Sequence, residues 1–226
     1  MEGPNMIVAV AGATGRTGSL IVKELLQRGY KVRALVRSAA QAAWLQEFGA
    51  EIAEADIASP DSLVRAVAGA DFLISALGSR KPFSRGENNS VDNLGNQNLA
   101  KAAQQKAMKH IVVVSSIGAG NSRSALNGIF RLLMGPVLKM KEKSEAFIRS
   151  CGVAFTIIRP GGLSDKDLSG EAAFGEGGKI TGMVSRKVIA KVCVDALSNA
   201  AMKNRVLEVV DASTLKERLR PFVVKI

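Results

Sequence analysis

Histidine is almost missing from this sequence, and cysteine, tyrosine and tryptophan are hardly commoner. Its 226 residues hold one histidine (His110), one tyrosine (Tyr30), one tryptophan (Trp44) and two cysteines, Cys151 and Cys193. Two cysteines make no disulfide framework and suit a reducing compartment. With a single histidine they also leave too few soft ligands for a structural zinc site. Aromatics are 4% of the chain, and no strand interleaves aromatic with basic residues, so the composition speaks against a nucleic-acid module. No apolar run approaches the ~20 residues of a membrane span. The first strand begins near Met6, which leaves no room for a signal or transit peptide, so a cytoplasmic location is expected. Acids are short as well: 31 Lys and Arg against 20 Asp and Glu leave a net charge of +11. That surplus is either a solvated basic surface or the mark of an anionic partner, such as a phosphorylated cofactor or an acidic substrate.

What is present is organised around one stretch. Val8-Ala9-Val10-Ala11 is an apolar run. Gly12-Ala13-Thr14-Gly15-Arg16-Thr17-Gly18 then spaces three glycines as G-x-x-G-x-x-G, and an apolar-periodic segment follows through Leu20, Ile21, Leu25 and Leu26. Strand, tight turn and helix in that order is the setting of a dinucleotide-binding site. Glycines let the backbone turn sharply and approach a pyrophosphate, and the helix N-terminus offers unpaired N–H groups and the positive end of a dipole. A glycine-rich turn without a ligand is the plain alternative. The length and the strand–helix alternation predict an α/β fold, a Rossmann-type doubly wound parallel sheet. Residues 1–226 read as a single NAD(P)-binding domain, with residues 160–226 forming a small C-terminal substrate-side extension.

Later strands should bring further residues to the same edge. The second strand, Tyr30 to Val36, ends at Arg37, about twenty residues past the glycine turn. A carboxylate there would bind the ribose hydroxyl of NAD, whereas an arginine accommodates the 2′-phosphate of NADP. Arg37, with Arg16 as a second cation, therefore favours NADP(H); a solvent-exposed strand-end charge is the alternative. A helix is expected over Ala40 to Phe48. Asp56 and Ile57 lie at the mouth of the third strand, where Asp56 either meets the adenine amino group or caps its own loop. Ala76, Leu77 and Gly78 leave the fourth strand beside the cofactor's middle. Arg80, Lys81 and Arg85 follow in a loop that is either solvated or turned to an anion. A helix from Ser90 to Lys106 puts Asn98 on a packed stripe with Val91, Leu94 and Ala102, where Asn98 satisfies the core or braces the backbone near the cofactor.

The fifth strand delivers Ser115 and Ser116 to the ligand edge and His110 to the opposite one, which argues against a catalytic histidine. Residues 117–136 read as a long loop, and Pro136 as the start of a helix to Ser150. Cys151 and Cys193 read as packing residues. Arg159-Pro160-Gly161-Gly162-Leu163 closes the sixth strand, its proline and glycines wrapping the nicotinamide end. Residues 164–180 read as a loose polar segment before a helix capped by Ser185.

The glycine turn, Arg37, Asp56, Ser115-Ser116, Lys141 with Glu145, and Arg159-Pro160-Gly161-Gly162-Leu163 together resemble the atypical short-chain dehydrogenase/reductase superfamily. The nearest branch looks like NmrA-like proteins and biliverdin reductase B (flavin reductase). The likeness covers about residues 6 to 210. Typical members use Tyr-x-x-x-Lys, but Lys141 placed by its spacing to Glu145 puts Val137 at the tyrosine position. Ordinary alcohol–ketone chemistry needs a positioned acid or base at the oxygen and is disfavoured. The resemblance then implies an NADPH-dependent reductase passing hydride to a conjugated acceptor (flavin, linear tetrapyrrole or quinone), and the excess positive charge favours an anionic one. In such a reductase Lys141 would hold the ribose, and Ser115 or Ser116 would orient the acceptor. It equally implies the alternative of a non-enzymatic NADP(H) sensor or assembly protein working through a protein partner.

Overall fold

A computed structural model describes residues 5–79, 84–126 and 128–226. Arg80 and Lys81 lie outside the described residues. The strands are β1 (Ile7–Ala11), β2 (Lys31–Val36), β3 (Glu51–Glu54), β4 (Phe72–Ser75), β5 (His110–Val114), β6 (Phe155–Pro160), β7 (Gly162–Ser164), β8 (Ala172–Gly175), β9 (Met183–Ser185) and β10 (Arg205–Asp211). Eight of them form one sheet in the order β3-β2-β1-β4-β5-β6-β10-β8, while β7 and β9 make a small parallel pair of their own. Every pairing in the large sheet is parallel except β8 against β10.

The helices are α1 (Arg16–Gln27), α2 (Trp44–Glu47), α3 (Pro60–Ala66), α4 (Arg85–Glu87), α5 (Asn96–Gln105), α6 (Gly128–Ser150) and α7 (Arg186–Asp195). Alternation along β1 shows how they sort. Val8 and Val10 pack with Ile21 and Leu25 of α1 and Ile189 and Cys193 of α7, while Ala9 and Ala11 pack with Leu63 of α3, Leu99 of α5 and Ile148 of α6. Successive strand side chains point to opposite faces, so both faces of the sheet are covered and the fold is a Rossmann-type α/β sandwich. Strands buried on both sides read as continuous β-branched runs, as in His110-Ile111-Val112-Val113-Val114, buried throughout. Ser185 is the cap expected of it, accepting from the Val188 N–H at α7, and Ser59 likewise accepts from the Ser62 N–H with Pro60 just inside α3.

Four local expectations need correction. The helix predicted over Ala40–Phe48 breaks into a 3₁₀ turn at Ala40–Ala42 and the single turn α2. The predicted loop before Pro136 is mostly helix, because α6 starts at Gly128 and carries Pro136 inside it. A proline frees one carbonyl of the preceding turn, and here that turn lies at the surface, where Leu132 is 80% exposed and water can replace the lost bond. The polar segment 164–180 is not loose, since it supplies β8 to the sheet edge. The helix predicted from Ser90 begins instead as a π-helical turn over Asn88–Gly95. Its wider spacing rotates the packed face: Leu94 is exposed while Asn88, Asp92, Asn93 and Gly95 are buried.

Candidate functional site

The C-terminal ends of β1, β2, β3 and β4 open on a groove of about 490 Å3. Gly12, Thr14 and Gly15 form its near wall, and Arg37, Ile57, Ala76, Leu77 and Gly78 line it as anticipated. The glycines are there for steric reasons. Gly12 has φ +76°, and a Cβ on it would sit 2.7 Å from the Ala76 carbonyl oxygen. A Cβ on Gly18 would lie 2.0 Å from the Gly12 carbonyl, so only glycine lets α1 pack this close beneath the turn. Ala13 is fully buried under it. The first turn of α1 has no acidic residue and no side-chain cap. Its free N–H groups and positive dipole end are therefore left for an anion. A backbone cradle that a single Cβ would fill, facing a groove with an arginine in its wall, fits the pyrophosphate and ribose of a nicotinamide dinucleotide.

Arg37 is exposed just past β2 and has no ion-pair partner among the described residues, unlike Arg33 within that strand, which holds Glu51 at 2.9 Å. Arg16 differs from expectation. It pairs with Asp165, which also takes Arg186 of α7 at 2.7 Å, so Arg16 ties the chain after β7 to α1 instead of standing in the groove. Burial lowers the Arg186 pKa within that cluster. Thr17 does not line the groove either. Asp56 caps its own loop: its carboxylate accepts from the Ala58 N–H at 2.9 Å. Asn98 takes the backbone-bracing role, its amide donating to the carbonyl of groove-lining Ile57 at 3.0 Å.

The π-helical turn supplies what the sequence reading missed. Its Ser90 and Val91, with Glu87 at the end of α4, complete the groove wall. Behind them lies a polar cluster. The Ser75 hydroxyl donates to Asn96 at 2.6 Å, Ser79 donates its hydroxyl to Asn88 at 2.5 Å, and its N–H donates to Asp92 at 3.1 Å. The other Asp92 oxygen lies 2.9 Å from the Lys141 ammonium, an ion contact rather than an aligned hydrogen bond. Lys141 thus neutralises a buried carboxylate and does not line the groove. Neighbouring Asn and Asp at helical spacing were the only signal for this cluster, and a regular helix would have pointed them elsewhere.

Ser115 is likewise engaged: its hydroxyl donates to Glu145. Glu145 also holds buried Arg159 through two bonds, 3.1 Å from Nε and 2.5 Å from Nη2. Arg159 donates further to Asn121 at 2.5 Å. Across the β6–β10 register stands Glu208, whose carboxyl is pushed up by burial against the pull of the Gly178 and Ile180 N–H groups and of Arg159. Glu145 and Arg159, singled out by motif, are therefore a buried brace beneath the site. Ser116 is half-buried and donates to the Ile117 carbonyl at 3.0 Å. Pro160, Gly161, Gly162 and Leu163 lie outside the groove wall. There a Cβ on Gly161 would meet the Gly182 carbonyl at 2.2 Å, and β7 pairs with β9. His110 sits at the far end of β5, 3.0 Å from the Thr156 hydroxyl, its pKa lowered by burial. Tyr30 is buried ahead of β2.

Residues 12–200 match the family model for NAD(P)H-binding proteins. The chain belongs to this NAD(P)H-binding family. An uncharacterised chloroplastic protein of Arabidopsis thaliana is 34% identical, aligning over 93% of this chain and 79% of its own length. Sanguinarine reductase of Eschscholzia californica is 31% identical, over 90% of this chain and 88% of its own. Among solved structures, the anaerobillin reductase ChuY of Escherichia coli O157:H7 superposes with a TM-score of 0.81 over 92% of this chain and 98% of that one, at 21% identity. The last shows the same fold. The family's cofactor is a nicotinamide dinucleotide, in keeping with the groove. With a chloroplastic protein among the relatives, a cytoplasmic location does not follow. No helix among the described residues is long and apolar enough to cross a membrane.

Proposed function

We propose that this chain is an NADPH-dependent reductase passing hydride to a flat, conjugated acceptor such as a flavin, a linear tetrapyrrole or a quinone, the basic surplus favouring an acceptor that carries phosphate or propionate groups. The observation that carries the reading is Arg37, an unpaired guanidinium in the groove wall where NAD-selective sites place a carboxylate. When bound, the cofactor supplies the hydride. The glycine turn and the first turn of α1 hold its pyrophosphate, Arg37 its 2′-phosphate, and small or apolar Ala76 to Gly78 let the backbone pass close to the cofactor's middle. Val137, buried where a catalytic tyrosine would stand, donates no proton, so the acceptor's protons come from solvent and the protein acts by position and exclusion of water. Ser116, a half-buried residue just past β5, orients the acceptor, and residues 160–226 supply the substrate side. The 31% identity to a reductase supports this class of chemistry.

A second reading, an NADP(H)-responsive regulatory protein, is favoured by one feature: Lys141 is held by Asp92 rather than turned to the groove. Loss of nicotinamide absorbance on mixing the protein with NADPH and FMN, a linear tetrapyrrole or a quinone separates the two. Turnover with one acceptor, slower with NADH, is expected of the reductase. Tight NADPH binding with no turnover on any of the three would transfer the assignment to the regulatory reading.

A further inference from the structure

A second hollow, of about 630 Å3, lies between α6 and the segment Arg85–Asn89. Arg85, Arg123, Lys139 and Lys143 line it, with Pro136 and Met140 adding apolar surface. No acidic residue is among the described residues that line it. Glu142 of the same helix lines the small adjoining hollow, with Arg131. None of the four cations enters an ion pair among the described residues, whereas Arg28, Arg33, Arg159, Arg186 and Arg205 each hold a carboxylate. Unpaired like charges around one concave space repel each other and focus a positive potential into it. A guanidinium pair adds the geometry suited to phosphate or carboxylate. The segment 85–91 is a partition: Arg85 and Asn89 line this hollow, while Glu87, Ser90 and Val91 line the cofactor groove.

We propose that this hollow binds the phosphate or carboxylate end of an amphipathic small molecule, at a site separate from the cofactor groove. The ligand is either the acceptor of the proposed reduction or an effector that never meets the hydride, and the binding site is the same in both cases.

FMN and riboflavin share a ring system and differ by one phosphate, which makes them the probes. Their binding is read by fluorescence quenching at low salt, with the groove saturated by NADP+. FMN should bind about 10-fold more tightly than riboflavin, in line with a charge-assisted contact. Arg85→Ala with Arg123→Ala should bring FMN to the riboflavin level and leave NADP+ affinity unchanged. Lys139→Ala with Lys143→Ala, both on an exposed helix face, is the second variant should the first not fold. Equal binding of the two flavins, no flavin binding, or an FMN preference that survives the folded variants overturns the site. NADPH oxidation then separates the sources: a raised KM for FMN in the variant marks the acceptor, an unchanged one an effector. Failure to bind NADP+ at all would sink the cofactor reading alone, since the flavin comparison still reads the hollow.

Discussion

Arg37 follows β2 with no carboxylate to hold among the described residues, whereas Arg33 of that strand holds Glu51. If it meets a 2′-phosphate, its removal costs one charge-assisted contact, roughly 1.5–3 kcal/mol. Arg37→Ala should weaken NADPH binding about 10- to 100-fold on that scale and leave NADH nearly unchanged. Titration of both nucleotides checks it, and equal losses for the two would mean that Arg37 does not read the 2′-position. Arg16 shows why one residue type at a plausible spacing is not enough. It stands in the glycine turn, yet its charge goes to Asp165, because the chain after β7 brings a carboxylate within reach. Lys141 makes the same point with Asp92.

At the scale of an element, β8 depends on Asp211. This buried carboxylate at the end of β10 accepts from the Ser169 hydroxyl at 2.5 Å, the Gly170 N–H at 3.0 Å, and the N–H and hydroxyl of Ser213 at 3.0 and 2.6 Å. Burial alone would raise its pKa, but these hydrogen bonds outweigh it and hold the carboxyl down at about 2, against 3.8 for the free side chain. A depressed carboxyl stabilises the fold above its unfolded pKa, and that contribution is lost as pH falls through the folded value. Asp211→Asn should therefore lower the melting temperature at pH 7, and the gap to wild type should close between about pH 4 and pH 2. Thermal scans across that range test the sign; a gap independent of pH would show that Asp211 acts by packing alone.

For the whole molecule, the net charge of +11 becomes a prediction about association. Screening shortens from about 10 Å at 0.1 M salt to about 3 Å at 1 M. NADPH carries more negative charge than NADH, so its affinity should fall more steeply over that interval. Parallel slopes would mean that the basic surface is only solvated.

The glycine spacing, the β-branched runs and the helix caps are local features, and they determined by themselves the α/β class, the tight glycine turn between β1 and α1, and the placing of Arg37, Ile57 and Ala76 to Gly78 at one edge. They work at a distance in sequence because parallel strands all present their C-terminal ends to the same side. Local signals do not register where one charge meets another. Packing decided that Ser115, Glu145 and Arg159 form a brace, that Lys141 answers Asp92, and that Arg16 goes to Asp165. Nor do they register a change of helical pitch. The π-helical turn at Asn88–Gly95 rotated a polar face inward and turned Leu94 out, which no regular 3.6-residue pattern in the sequence anticipates. The basic hollow likewise exists only because α6 comes to lie beside the segment Arg85–Asn89, some fifty residues away along the chain.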